Sequence, residues 1–488
     1  MRARVSWFLV LAVYLAFPGF QRERIDEMGL ERMRVDAPLT QALRSRWDTE
    51  ATAFMLPWGH MIPSLEEVSR ITGLRVYGRP VSGYTYPCYR ELACRLLDLT
   101  VEQRSSLLSR VELQESLGLF QTGKGVAEMA DEQLQRLTRG CREALADEPR
   151  AQADLDLHRF LIFFLDRLLF ATRGDPVHYR FLLLLEDLGQ VGNYAWGAAF
   201  LAHQFDSLGS SDRQTTISGF YPFLQAYLHL PGLRRGILER PGVVPLARHW
   251  VPRRDTYPLG DQRASLKDAI DLYPQLDVVW QPYLEEGREG QPWLEPAHPY
   301  FGRMVWIHAL NLVLPLHLYL TQRSLGLRQS AVEFPSRDRT PRPGRSFRGL
   351  HDTTDWCVRV HEQIDDWEHR GRWVNFEAVS DDVYLQAFAL KYGAMVDVTG
   401  EIASLWALLH SAVQDREVAQ READQLRAEL ERVRRAQAGA SSSRAVESSQ
   451  SDPEDRLVDA VRRAEDAQAE LVERVAELRT ATGRATRL

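Results

Sequence analysis

Apolar residues recur at helical intervals along most of this chain, and the clearest unit lies at residues 54–83. There the pattern predicts an extended lead-in, then an amphipathic helix with Leu65, Val68 and Ile71 on one face. Ser64 and Glu67 stand three apart at its start. That is capping-box spacing, in which hydroxyl and carboxylate satisfy the first orphan N–H groups reciprocally, and Gly73 ends the helix. Val76 and Val81 flank Tyr77-Gly78-Arg79-Pro80, which predicts a short hairpin.

Further along, helical patterns cover 38–110 and 125–172, ending in FLIFFLDRLLF (160–170), apolar nearly all round and therefore buried. Helices are expected over 177–206, around Trp196-Gly197, and over 214–240, halting at Pro231-Gly232. A Pro- and Arg-rich loop fills 241–262. Residues 302–322 are apolar enough to suggest a membrane span, but His308, Asn311, Pro315 and His317 favour a kinked core helix. Helix resumes from Trp356 to Trp373. The fold expected is mainly α, a helical globular domain with one or two small hairpins.

The two ends differ from this body. From Leu405 a heptad seam runs through Leu409, Ala412, Arg416, Ala419, Ala423, Leu426, Leu430 and Val433. It predicts a coiled coil over 400–437. A Ser-rich linker at 438–452 separates it from a second seam over 453–482, opened by Pro453. Self-association through 400–482 is expected. At the other end, Val5 to Phe17 follows Met1-Arg-Ala-Arg and has the shape of a signal peptide or short anchor. At about 13–16 residues it is short of the roughly 20 a spanning helix needs. A buried first helix is the alternative for residues 1–20, and the pattern leaves both open.

Several blocks together resemble the plant mobile domain family, also called the aminotransferase-like plant mobile domain, which includes the MAIN-like (maintenance-of-meristems-like) proteins. Gly19-Phe20 through Asp36, Leu39, Ala42, Leu43 and Arg46-Trp47 resembles its opening helices. Leu56, Pro57, Gly59, Pro63, Leu65, Val68, Gly73, Leu74 and Gly78 are similar to its first motif. Asp187, Tyr194, Trp196 and Gly197 match a central signature, and Trp280, Pro282 and Tyr283 a later one. Trp356, His361, Trp367 and Arg370 match a pattern near the domain's end. The resemblance covers about residues 17–395, so 21–395 is expected to be one domain with a basic linker at 335–349 inside it. It implies a non-catalytic, transposon-associated interaction protein of the nucleus, linked to meristem maintenance, genome integrity and transposable-element silencing. A phosphatase-like nuclear partner is also implied.

Composition narrows the chemistry. With 44% apolar residues in 488, the chain can bury a sizeable core, and its net charge of −7 argues against a globally basic nucleic-acid binder. The four cysteines are scattered without zinc-knuckle spacing, which favours free thiols. An aminotransferase needs a lysine for the internal aldimine. The chain has only Lys124, Lys267 and Lys391, each read as a surface residue, so no cofactor is expected. Gly174-Asp175-Pro176-Val177-His178 is a near miss to a metallophosphatase motif without its companions, and His361 with Asp365 is one turn apart on a solvated helix face. No metal and no enzymatic activity are expected. Nucleic acid remains an alternative on two features. The capped helix with its hairpin resembles part of a winged helix-turn-helix carrying Arg70, Arg75 and Arg79. The stretch Arg337, Arg339, Arg342, Arg345 and Arg348 could meet phosphate or serve as a solvated linker or localisation signal. On this reading the protein would be a mobile-element-encoded nucleic-acid-binding or processing component. A membrane-anchored form through residues 5–20 is a further alternative.

Overall fold

In the computed structural model the apolar N-terminal run is a core helix. The structure describes residues 7–26, 36–82, 89–99, 107–119, 128–147, 151–170, 177–178, 180–209, 228–240, 242–253, 257–284, 294–330, 333–336, 356–374, 382–396 and nine scattered positions between 420 and 462. Helix α1 (Trp7–Ala16) buries Leu9, Val10, Ala12 and Val13 against helix 130–144, and Phe17 packs edge-on to Phe160 at 5.3 Å. Ten residues make about 15 Å of helix, half a bilayer's hydrocarbon core. Among the described residues no helix is long and apolar enough to cross a membrane.

The elements follow in order. Helices α2 (Gly19–Asp26) and α3 (Ala37–Arg44) lead into strands β1 (Trp47–Asp48), β2 (Ala53–Leu56) and β3 (Gly59–Met61), then α4 (Leu65–Thr72) and β4 (Val81–Ser82). Next come α5 (Tyr89–Leu97), β5 (Leu107–Leu108), α6 (Arg110–Ser116), α7 (Ala130–Ala144) and α8 (Ala151–Phe164), the last continued by a π-turn, Leu165–Leu169. Then β6 (Val177–His178), α9 (Leu182–Leu185), α10 (Trp196–Gly209), β7 (Gly236–Leu238), α11 (Leu246–His249), β8 (Trp250–Pro252) and α12 (Leu259–Asp271). The body closes with α13 (Leu294–Ala297), β9 (Arg303–Met304), β10 (Trp306–Leu310), β11 (Leu312–Pro315), α14 (Trp356–Arg359), α15 (His361–Glu368), β12 (Arg372–Trp373) and α16 (Asp382–Val396).

The protein is mainly helical, with more strand pairing than one or two hairpins. The lead-in to α4 is itself a hairpin, β2–β3, turned by Pro57-Trp58. Tyr77-Gly78-Arg79-Pro80 forms no hairpin. Instead Arg79 bridges Tyr194, and β4 runs parallel to β10 with Val81 opposite Ala309. Residues 302–322 are not a kinked helix. They form the β10–β11 hairpin, Ile307 opposite Leu314 and His308 opposite Val313, followed by a 3-10 segment Leu318–Leu325. Strands covered on both faces read as an unbroken apolar run, so periodicity does not separate them from a buried helix. The turn at Leu310-Asn311, with Leu310 at φ 55°, decides it. In the stretch read as loop, α11 and β8 appear, β8 pairing with β7. Arg372-Trp373 likewise leaves the helix to pair with β9. The linker at 337–349 and the coiled-coil seam positions lie outside the described residues.

Three apolar clusters hold these elements. The largest joins α1, α4, α5, α7, α8, α10 and the β10–β11 hairpin. A second gathers Leu39, Leu43, Phe54, Trp58, Ile71, Trp250, Ile270 and Tyr273. It is locked by buried Asp36, which caps α3 through Leu39 N at 3.0 Å and takes two hydrogen bonds from Arg235, at 2.8 and 3.2 Å. The third is small and private to α16: Met55, Tyr384, Leu385, Phe388 and Tyr392.

Candidate functional site

Helix α4 starts with the predicted box: Ser64 Oγ accepts from Glu67 N at 3.2 Å, and Glu67 Oε2 accepts from Ser64 N at 2.6 Å. Gly73 ends it at φ 71°. Glu67 has a second use. Its Oε1 lies 2.7 Å from Nε2 of buried His229, whose Nδ1 lies 2.6 Å from the Val279 carbonyl. A carbonyl only accepts, so Nδ1 carries a proton, and the Glu67 contact shares one more. One side chain thus ties α4 to residues 228–230 and to the 278–283 segment.

Beside this tie opens a cleft of about 270 Å³. Buried Arg70 reaches into it, its Nε donating to Glu66 at 2.9 Å and its guanidinium 4.9 Å over the Tyr283 ring. Arg323 donates to the Trp58 carbonyl at 2.7 Å and lies 5.0 Å over Trp280. Thr321 and Ser324 face the cleft with their hydroxyls 2.9 Å apart. Pro282, Leu284 and Leu325 form its rim.

A second junction lies at the other end of α4. Gly197 N donates to the Arg75 carbonyl at 2.8 Å, and a Cβ on Gly197 would stand 2.9 Å from Val76 Cγ1. Arg79 N donates to Asn193 O and Ala195 N to Arg79 O, both at 2.8 Å. Trp367 Nε1 donates to Gly78 O at 2.9 Å, with its ring stacked on Tyr300 at 4.7 Å. Gly78, at φ 100°, sits against the Asn193 carbonyl, where no side chain fits.

Residues 25–381 match a model of the plant mobile domain, well over half of the chain. The chain belongs to the plant mobile domain family. It is 30% identical over 259 residues to Protein MAINTENANCE OF MERISTEMS of Arabidopsis thaliana, which spans 50% of this chain and 48% of that protein. To Protein MAIN-LIKE 2 of the same plant it is 28% identical over 257 residues, 51% of this chain and 35% of that one. To the Arabidopsis serine/threonine-protein phosphatase 7 long form homolog it is 24% identical over 364 residues, 69% and 25% of the two chains. The chain therefore spans half or less of the length of these relatives. No solved structure matches it.

Within the plant mobile domain the motif residues occupy the two junctions and their supports. Leu56, Pro63, Leu65, Val68 and Leu74 are buried around α4, and Pro57 turns the β2–β3 hairpin. Gly59, at φ 125°, faces the Tyr384 hydroxyl. Tyr194 and Trp196 are buried, Trp196 Nε1 donating to Val191 O at 2.8 Å. Trp280, Pro282 and Tyr283 wall the cleft. Asp187 is exposed and takes the Gly189 N–H at 2.9 Å, closing a turn. Trp356 opens α14. His361 is exposed and donates to the Val358 carbonyl, and Arg370 stands at φ 65° in the turn after α15.

The three arginines considered for DNA do not share a face. Arg70 is 3% exposed and paired with Glu66, Arg75 is half-buried on Gly192 and Tyr77, and Arg79 is exposed over Tyr194. Arg337, Arg339, Arg342, Arg345 and Arg348 lie outside the described residues, as do Lys124 and Asp175. Lys267 is exposed on α12, and Lys391 rests on Phe334 and Tyr392. Among the described residues no group of three or more His, Cys, Asp or Glu is placed to hold a metal. Sequence reasoning missed His229, Thr321, Arg323 and Ser324. They come from stretches read as helix, and the first signal for them is their place opposite the capped helix.

Proposed function

We propose that this plant mobile domain chain is a non-catalytic interaction scaffold acting in the nucleus, in the service of meristem maintenance, genome integrity and transposable-element silencing. One observation carries the reading. Motif blocks hundreds of residues apart spend their polar groups on one another: Glu67 through His229 on Val279, Gly78 on Trp367, Gly197 on Arg75. Such use supports a body whose recurrent residues shape a surface. Relatives named for meristem maintenance support the developmental setting. A relative named as a phosphatase supports a phosphatase-like nuclear protein among the partners. The heptad-patterned tail adds self-association through 400–482.

The test is the solution mass of the full chain and of the chain lacking 400–488, each then offered nucleic acid. Self-association that disappears with the tail while the body stays folded is the expected result. A full chain that remains monomeric removes the dimerising tail from the proposal. Salt-sensitive nucleic-acid binding by the body replaces the scaffold reading with the mobile-element one.

A further inference from the structure

The cleft beside α4 has an unusual charge balance. Each formal charge on its floor sits against an opposite one: Arg70 on Glu66 at 2.9 Å, and Glu67 on His229 at 2.7 Å. A phosphate or carboxylate entering here would have to strip Arg70 from Glu66, and a cation would have to do the reverse. Either exchange leaves a desolvated charge without its partner, which is strongly unfavourable. The remaining polar lining is neutral: the Thr321 and Ser324 hydroxyls and the Gln281 amide. A hydroxyl donates once and accepts twice, so the Thr321–Ser324 pair keeps capacity for a further partner.

The rim has the opposite character. Leu284 is 75% exposed, and Pro282 and Leu325 flank it. At Gly302 the wall lacks a side chain, and Trp373, 54% exposed, abuts it: a Cβ there would stand 3.1 Å from the indole. An exposed aromatic and an exposed leucine beside one opening mark a contact surface. The volume of about 270 Å³ falls below the roughly 300–1,000 Å³ of clefts that enclose a whole small-molecule ligand. It suits a side chain or two carried in from outside.

We propose that the cleft is a docking pocket for a partner peptide, which inserts an uncharged amide or hydroxyl side chain between Arg70, Thr321 and Ser324 and lays flanking apolar residues on Leu284 and Trp373. This rests on the reading of the chain as an interaction protein and names the chemistry of what it takes.

Random displayed peptides selected on the full-length protein, followed by fluorescence polarisation of the winners, test it. Selected peptides are expected to carry Asn, Gln, Ser or Thr beside Leu- or Phe-type residues. Their binding should change little between low and high salt, since no net charge is neutralised. Leu284→Asp, at an exposed position that does not threaten the fold, should weaken binding about tenfold or more. Ser324→Trp, which fills the cleft, should abolish it. Leu272→Asp, equally exposed but elsewhere, should leave it unchanged. Charged consensus peptides with steep salt dependence, binding indifferent to Leu284→Asp, displacement by a single-stranded oligonucleotide, or no selected peptide at all would each overturn the proposal. Tail-dependent self-association is read separately by mass, so failure of the pocket and failure of the scaffold reading are distinguishable.

Discussion

Gly197 and Asp166 show how much single side chains decide here. Gly197 has Leu74, Arg75 and Val76 lying directly on it. Gly197→Ala places a methyl 2.9–3.1 Å from three of their atoms. It should cost about 1–3 kcal/mol, seen as a lower urea midpoint with unchanged slope. Asp166 sits in the π-turn after α8, taking the His178 N–H at 2.9 Å, with Arg167 and Arg180 as neighbours. Burial pushes its carboxyl from the usual 3.8 to about 7, against the pull of those arginines. The folded state therefore holds this proton more tightly than the unfolded one. Its stabilising contribution is full below about pH 4 and is lost as pH rises towards 7. Asp166→Asn should remove that dependence: measured from pH 5 to 8, the variant gains on the wild type up to about pH 7, then runs parallel. Neither residue announces this in the sequence. Gly197 stands out only as part of a motif, and Asp166 sits in an apolar run where its partners, 12 and 14 positions on, are out of local view.

At the scale of elements, local signals were read correctly and long-range ones were not. The capping box and Gly73 stop give α4 because both act within four residues, and Ser64→Ala should lower stability by about 1 kcal/mol in thermal or urea melts. The 77–80 segment and the 302–322 run failed because their hydrogen-bond partners lie far off, at Tyr194, Trp367 and each other. Helix α16 is the clearest case. Its apolar residues surround the whole helix, so periodicity does not say which face docks. The docking face proves to be the one that meets His60. There Tyr384 Oη receives the His60 N–H at 2.9 Å and lies 2.8 Å from its Nδ1, while Phe388 and Tyr392 meet the ring edge-on. Burial pushes the imidazole down to about 3, so it stays neutral across the physiological range. Tyr384→Phe should weaken the docking by about 1–2 kcal/mol. Hydrogen exchange should then quicken over 382–396 and leave α4 and α10 protected.

Over the whole molecule, the ion pair between Asp36 and Arg235 joins the N-terminal helices to the 228–253 region. Asp36→Ala strands a buried guanidinium and should cost about 3–5 kcal/mol, enough to lower the melting temperature by several degrees. The family was legible in the sequence because its motif residues keep their spacing. The cleft was not, since three of its walls come from separate segments. Helix α16 has one more consequence. The chain continues into the heptad-patterned tail from its last turn, and its own hold on the body is the small cluster around His60 and Tyr384, joined by Tyr392 on Asp48 at 2.7 Å. Tension applied through the tail would load that patch as a peeling force, one turn at a time, while the two larger clusters bear none of it. A pull on the tail should therefore yield a short first extension, with the rest of the molecule still standing.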